Sequence, residues 1–238
     1  QRLSGSCKGG RKAEPQFYHL WKTPLADIYA ENIIPAGRQS TFVIEGRQMT
    51  VPLPGPGNTE NAIAAWAVCK QLGVTIDNFG QMLGSLPEIS MRSQIQETGS
   101  ITLINDCDNA NPASMKNALA ILSSLNADGK RRLVFICGDM AELGGQSEQL
   151  HTELGAEAAK AGVNLLLTVG RYCRITADAA KSEKDDLQIN CFEDTKILCN
   201  NMENFIKDSD IILVKGSRVN KLEAAVEKIR QRFDKNNV

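Results

Sequence analysis

Acids, amides and cations directly follow short apolar runs in the second half of the chain. The run Ile101–Ile104 precedes Asn105–Pro112, which holds two aspartates and three asparagines. The run Ile211–Val214 precedes the tetrapeptide Lys215–Arg218, which holds two cations. Cations grip phosphates and carboxylates, whereas acids and amides can orient sugar hydroxyls and bases. These residue types predict a cleft that holds an anionic ligand.

Two further apolar runs have the same kind of ending. Leu133–Cys137 is followed by Gly138–Gly144, which includes Asp139 and Glu142, and Leu165–Val169 is followed by Gly170-Arg171. Asp, Asn, Gly and Pro are also ordinary turn residues, so one such segment could be only a turn. Four together, with cations immediately beyond a buried strand, favour a site.

The elements that must position these groups follow from the apolar pattern. Five short runs alternate with segments whose apolar residues recur at helical spacing, such as Met115, Leu119 and Leu122. The fifth run is Leu187–Cys191. Nearly continuous apolar strands separated by helices predict a doubly wound α/β domain with a parallel sheet, at about residues 88–238. In such sheets ligands bind beyond the carboxyl ends of the strands.

Residues 1–87 are expected to be the tail of another domain. The opening Gln1–Glu14 has no periodicity and is expected to form a loop or disordered arm. Residues Thr41–Leu53 predict a β-hairpin around Gly46-Arg47. Asn58 could cap a helix that closes at Gly73, and a second helix should follow at about residues 76–86.

Composition excludes several classes of protein. The net charge of −1 leaves no dense basic face for nucleic acid, and no apolar run approaches the ~20 residues of a membrane span. The seven cysteines are odd in number and lack C-x-x-C spacing. We read them as free thiols in a reducing cytoplasm, with no metal site. No signal peptide is evident at the start of the chain, and a monomer that contacts no membrane is expected.

The polar segments also carry a family resemblance. Asn105–Met115 resembles the D-S-Y-N-A-N-P-x-S-M stretch found in Mur ligases. Gly138–Gly144, together with His151, resembles the family's G-D-M-x-E-L-G and the His that follows it. Leu213–Arg218 resembles its L-V-K-G-S-R. Asn58–Ala65 resembles the family's H-N-x-x-N-A-x-A-A helix start, and Asp27–Ile33 the strand before it. The motifs run in order from about residue 26 to residue 230. They resemble most the family member that adds D-alanyl-D-alanine to the peptidoglycan precursor.

The resemblance implies a fold, a reaction and a set of roles. The fold would be a Rossmann-like Mur ligase C-terminal domain preceded by a remnant of the central ATPase domain. The ligands would be ATP, Mg²⁺, UDP-N-acetylmuramoyl-tripeptide and D-alanyl-D-alanine. The tripeptide and the dipeptide would be joined through an acyl phosphate formed with ATP. The resemblance places Asn58 and Asn61 near the adenine, Arg92 at the phosphate or base, and Asp106 on the ribose. The dipeptide carboxylate or transferred phosphate would be held by Lys215, Ser217 and Arg218. The same crevice would be lined by Asn109 and Asn111. Lys215 and Arg218 are the implied catalytic pair.

Each role has a structural alternative. Asn58 could be only a helix cap, and Asp106 could cap the helix that begins near Pro112. Arg92 could be a solvated surface side chain. His151 is expected to be structural or solvated, whereas Asp139 and Glu142 could serve either purpose.

The sequence also departs from the family pattern. No G-x-x-x-x-G-K-[ST] phosphate loop is present, so the magnesium ligands are expected in a missing portion and this polypeptide alone is expected to be inactive. Gly57 stands in place of the family's His, and Cys107 and Asp108 in place of Ser and Tyr. Asp108 should weaken anion binding unless Lys215 or Arg218 compensates. A sibling ligase that adds another amino acid, or a non-catalytic nucleotide-binding or interaction module of this fold, remains an alternative.

Overall fold

The computed structural model describes residues 20–21 and 27–234. The predicted arm at Gln1–Glu14 therefore lies outside the described residues. The strands are β1 (Leu20–Trp21), β2 (Ile28–Tyr29), β3 (Glu31–Ala36), β4 (Gln39–Ile44), β5 (Arg47–Val51), β6 (Gln94–Thr98), β7 (Ile101–Asp106), β8 (Leu133–Gly138), β9 (Leu165–Val169), β10 (Gln188–Phe192) and β11 (Ile211–Lys215). The helices are α1 (Pro56–Gln71), α2 (Ile76–Gly84), α3 (Pro112–Ser124), α4 (Ser147–Lys160), α5 (Cys173–Glu183), α6 (Thr195–Asn201) and α7 (Glu223–Asp234).

The second half of the chain folds into a six-stranded sheet in the order β10-β9-β8-β11-β7-β6. All neighbours from β10 to β7 are parallel, which confirms the predicted fold class. Helices α3, α4 and α5 bury their apolar residues on one face of the sheet, and α6 and α7 cover the other. The apolar runs read from the sequence correspond to β7–β11.

Two features of this sheet differ from the expectation. Strand β6 was missed, and it pairs antiparallel with β7 at the edge of the sheet. Its sequence, Gln94–Thr98, contains one apolar residue, so it carries no signal of a buried strand. The other edge strand, β10, is largely accessible because only one of its sides is paired, so it is less apolar than the runs at the centre.

The first half has its own core. Strands β3, β4 and β5 form an antiparallel sheet, and α1 and α2 pack on it through residues such as Trp66 and Phe79. The predicted hairpin is present, but its turn is Glu45-Gly46, one residue earlier than expected, because Ile44 pairs with Arg47. Both turn residues have positive φ, as a tight two-residue hairpin turn requires.

The start of α1 corrects another expectation. Asn58 is not the helix cap, because α1 begins at Pro56 and its N-cap is Gly55. Gly55 has φ 87°, and a Cβ there would lie 2.7 Å from the Ile121 side chain of α3. Gly57 donates its N–H to the Asn117 side chain at 2.8 Å. Small residues thus let the start of α1 approach α3 closely.

Close packing of α4 on α5 depends on one glycine. A Cβ built on Gly155 would lie 2.1 Å from the backbone oxygen of Thr176 and 2.9 Å from the Ala179 Cβ. We therefore expect Gly155→Ala to destabilise the fold by about 1–3 kcal/mol through overpacking, measured by urea unfolding. Gly145→Ala is the control, since a Cβ at Gly145 meets nothing within 4 Å. Equal stability of the two variants would contradict this packing.

None of the helices in the described part of the chain combines the length and the apolar character needed for a membrane span.

Candidate functional site

A cavity of about 740 Å³ lies where α1 meets the carboxyl ends of β7 and β11. Seven of the nine site residues proposed from the sequence line it: Asn58, Asn61, Arg92, Asp106, Asn109, Asn111 and Lys215. Helix α1 supplies the first two of these, and the six-stranded sheet with its loops supplies the others. Residues from both halves of the chain therefore form the cavity wall. The hydrogen bond from Gly57 to Asn117 also connects the two halves.

Lys215 and Asp106 form the buried ionic centre of the cavity. Their strands are neighbours with these two residues in register, and Lys215 Nζ lies 2.8 Å from Asp106 Oδ2. The side chains are 2% and 10% exposed. Lys215 Nζ also donates to the Asn109 backbone oxygen at 2.9 Å, and Asp106 Oδ1 accepts the Ser93 N–H at 2.9 Å.

This arrangement excludes the capping alternative for Asp106. The N-cap of α3 is Asn111, whose side chain accepts from the Ser114 N–H while Ser114 bonds back to the Asn111 N–H. The Asn111 amide oxygen is therefore already engaged. The side chain of Asn58 is also engaged, because its amide nitrogen donates to the Pro54 backbone oxygen at 2.7 Å.

Asp108 joins two arginines at the side of this centre. Arg92 lies 2.7 Å from Asp108 Oδ2, and Arg218 forms an ion pair with Asp108 Oδ1. The hydrogen bond from Arg218, helped by the charge of Arg92, lowers the pKa of the Asp108 carboxyl. The same carboxylate raises the pKa of Arg218. Arg92 is thus ion-paired, not simply solvated.

Ser217 and Arg218 are not among the residues that line the cavity. Ser217 is 4% exposed, and its Oγ accepts the Ala141 N–H at 2.8 Å. It therefore ties the loop after β8 to the end of β11. Arg218 is exposed and points to Asp108.

The segment after β8 is a structural network. His151 is buried, and its Nε2 accepts the Met140 N–H at 3.0 Å while Nδ1 lies 2.6 Å from the Ser147 oxygen. These partners require the neutral tautomer with the proton on Nδ1. The carboxylate of Asp139 accepts the backbone N–H groups of Arg171 and Tyr172. The expectation that His151 is structural agrees with this geometry.

The sequence reasoning missed several residues of the cavity wall. Lys116 and Asn117 lie on α3, and Ser93 precedes β6. Lys116 lies just over one helical turn after Asn111, the N-cap of α3. Recognising that cap in the sequence would therefore have pointed to Lys116 as a residue near the site. Ser93 acts through its backbone N–H, which no side-chain pattern could indicate.

Cys107 and Cys137 are buried beside the site. Burial raises the pKa of the Cys107 thiol to about 11, and it raises that of Cys137 further still. Both thiols are therefore protonated and unreactive at neutral pH. Within the described residues no group of three or more His, Cys, Asp or Glu side chains is placed to hold a metal ion.

Comparison with known proteins gives the family. A family model described as "Mur ligase, glutamate ligase domain" matches residues 91–218. That stretch is more than half of the chain, so the protein belongs to the Mur ligase family.

Its relatives include named ligases. The chain is 31% identical to the UDP-N-acetylmuramoyl-tripeptide–D-alanyl-D-alanine ligase of Bacillus subtilis, over 84% of this chain and 44% of that protein. It is also 31% identical to the enzyme of the same name from Escherichia coli, over 87% of this chain and 45% of that protein. The chain therefore spans a little under half the length of these curated relatives.

Solved structures share the fold. The MurF structure from Acinetobacter baumannii superposes with a TM-score of 0.76 at 24% identity, over 87% of this chain and 45% of that one. MurF ligase from Thermotoga maritima in complex with ADP gives a TM-score of 0.68 at 21% identity, over 91% and 49%.

Proposed function

We propose that this chain is part of an ATP-dependent ligase that adds D-alanyl-D-alanine to UDP-N-acetylmuramoyl-tripeptide in the cytoplasm. The observation that carries the proposal is the cavity between α1 and the carboxyl ends of β7 and β11, which combines amides, acids and cations. The names of the Bacillus and Escherichia relatives support the substrates. The separate apolar cores support a central-domain remnant at residues 1–87 and a C-terminal domain at 88–238.

The cavity suits a nucleotide and a small carboxylate. Asn58 and Asn61 would contact the adenine, and Arg92 the phosphates. Asp106 would accept hydrogen bonds from the ribose hydroxyls, since an acid at a strand end can do so. Lys215, held by Asp106, would present positive charge to the transferred phosphate or the dipeptide carboxylate.

Three further residues have supporting roles in this proposal. Asn109 and Asn111 would line the crevice for the dipeptide. Ser217 would act by positioning the end of β11, because its Oγ is bonded to the Ala141 N–H. Arg218 would reach the anion from the rim.

The acyl phosphate forms when a substrate carboxylate oxygen attacks the γ-phosphorus of ATP and ADP leaves. The dipeptide amine then attacks the acyl carbon, inorganic phosphate leaves, and the amine loses a proton. Mg²⁺ would neutralise charge on the phosphates when bound. Because the sequence has no G-x-x-x-x-G-K-[ST] loop, we expect this polypeptide to consume no ATP. ATP consumption that depends on D-alanyl-D-alanine would contradict that part of the proposal.

Nucleotide binding tests the adenine role. We expect Asn61→Ala to weaken ADP binding roughly three- to tenfold in isothermal titration, the effect of losing one hydrogen bond. Inorganic triphosphate has no base, so its binding should not change. Asn201→Ala is the control, because Asn201 is an exposed asparagine of α6 away from the cavity.

Other outcomes would change the assignment. If the chain binds neither ADP nor D-alanyl-D-alanine, it is an interaction module and not a ligase portion. If it binds ADP but prefers another amino acid to D-alanyl-D-alanine, it belongs to a sibling ligase.

A further inference from the structure

Asp108 holds together two arginines that come from distant parts of the chain. Arg92 precedes β6 and Arg218 follows β11, yet both contact the same carboxylate, one at each oxygen. The Asp108 side chain is 16% exposed, whereas the arginines are 60% and 78% exposed. The carboxylate therefore sits inside the pair, and the guanidinium groups remain accessible to solvent.

The carboxylate changes the charge beside the cavity. Lys215, Arg92 and Arg218 carry three positive charges, and Asp106 and Asp108 carry two negative charges. Asp106 is committed to the buried Lys215. Asp108 is committed to the two arginines, of which Arg92 also lines the cavity.

We propose that Asp108 is an internal counter-ion that competes with ligand anions for Arg92 and Arg218, and so lowers the affinity of the cavity for polyphosphate. An anion must displace the carboxylate from at least one guanidinium or bind beside its negative charge. Arg218 contacts Asp108 and does not line the cavity. Arg92 contacts Asp108 and also lines the cavity. Release of Asp108 frees Arg218 to turn toward the ligand. The inference rests on the proposed function only in taking the cavity to be an anion site.

Removal of the charge should therefore strengthen anion binding. We expect Asp108→Asn to bind inorganic triphosphate roughly three- to tenfold more tightly than the parent chain in isothermal titration at low salt, since two exposed ion pairs are relieved. Asp108→Tyr, which also removes the negative charge, should shift affinity in the same direction. The affinity of both variants should fall more steeply with added salt, because one more unscreened positive charge faces the ligand.

Two controls separate this effect from a general change in charge. Asp77→Asn removes one negative charge from an exposed pair with Arg47, neither of which lines the cavity, and should leave triphosphate affinity unchanged. In Arg92→Met/Asp108→Asn the gain, measured against Arg92→Met alone, should be smaller, because Arg92 is one of the two arginines that Asp108 releases. Thermal unfolding of Asp108→Asn should stay within a few degrees of the parent, since the pairs are exposed.

Unchanged or weaker triphosphate binding by folded Asp108→Asn overturns the inference, as does a gain of the same size whether or not Arg92 is present. Absence of triphosphate binding in every variant overturns it as well. Failure of the proposed function is a different result: triphosphate affinity would rise in Asp108→Asn, while Asn61→Ala would leave ADP binding unchanged.

Discussion

Lys215→Met is expected to destabilise the protein by about 3–5 kcal/mol, because it leaves Asp106 as a buried charge without its partner. The two side chains are 2% and 10% exposed and 2.8 Å apart. Methionine is about as long as lysine, so it fills the same space, but it cannot donate to the Asn109 oxygen. The melting temperature should fall by about 10 °C for a chain of this size.

A double variant separates the buried charge from the lost packing. Asp106→Asn/Lys215→Met removes both charges, and the asparagine oxygen can still accept the Ser93 N–H. We expect it to be more stable than Lys215→Met alone. If the single and double variants are equally unstable, the lost ion pair is not the cause. Lys215→Met should also lose triphosphate binding, since the proposed anion site then lacks its buried cation.

Asp210→Ala is expected to cost about 3 kcal/mol, at the opposite end of the same sheet. Asp210 immediately precedes β11, and its carboxylate pairs with Arg132 through two bonds of 2.9 and 2.7 Å. It also accepts the Lys207 N–H at 2.8 Å. Asp210 is 2% exposed and Arg132 is 22% exposed, so the arginine left behind regains only part of its hydration. Chemical denaturation measures the loss.

The matched control is an exposed pair. Glu183→Gln removes a charge that lies 3.9 Å from Lys160, with both side chains more than two-fifths exposed, and should change stability by less than about 1 kcal/mol. Asp210→Ala should keep the ligand affinity of the folded state, because Asp210 lies at the amino end of β11 and the cavity lies at its carboxyl end. Equal losses in the two variants, or a selective loss of triphosphate binding in Asp210→Ala, would contradict this assignment.

Burial separates the ion pairs of this protein into two kinds. The ion pairs of Lys215 and Asp210 link the carboxyl and amino ends of β11 to neighbouring segments. Their loss should lower the free energy of unfolding. The arginines that pair with Asp108 are exposed, and loss of these pairs should change the affinity for anions. The same kind of ion pair is thus expected to support stability in one place and to tune anion affinity in another.

The sequence by itself determined where the strands and helices of the second half lie. Runs such as Leu133–Cys137 are apolar at every residue because β8 is covered on both faces. The polar groups after these runs were also evident from the sequence, because backbone leaving a buried strand must meet solvent or ligand. Strand β6 escaped notice because an edge strand carries little apolar signal.

Only the tertiary structure decided which of those polar groups meet. Strand β11 is the last in the chain, yet it inserts between β7 and β8, and this puts Lys215 in register with Asp106. It also carries Arg218 to the same carboxylate as Arg92. Strand order depends on contacts between residues about a hundred positions apart, and no local pattern of hydrophobicity encodes it. The sequence therefore specified the chemical groups of the site, and the crossover of β11 specified their partners.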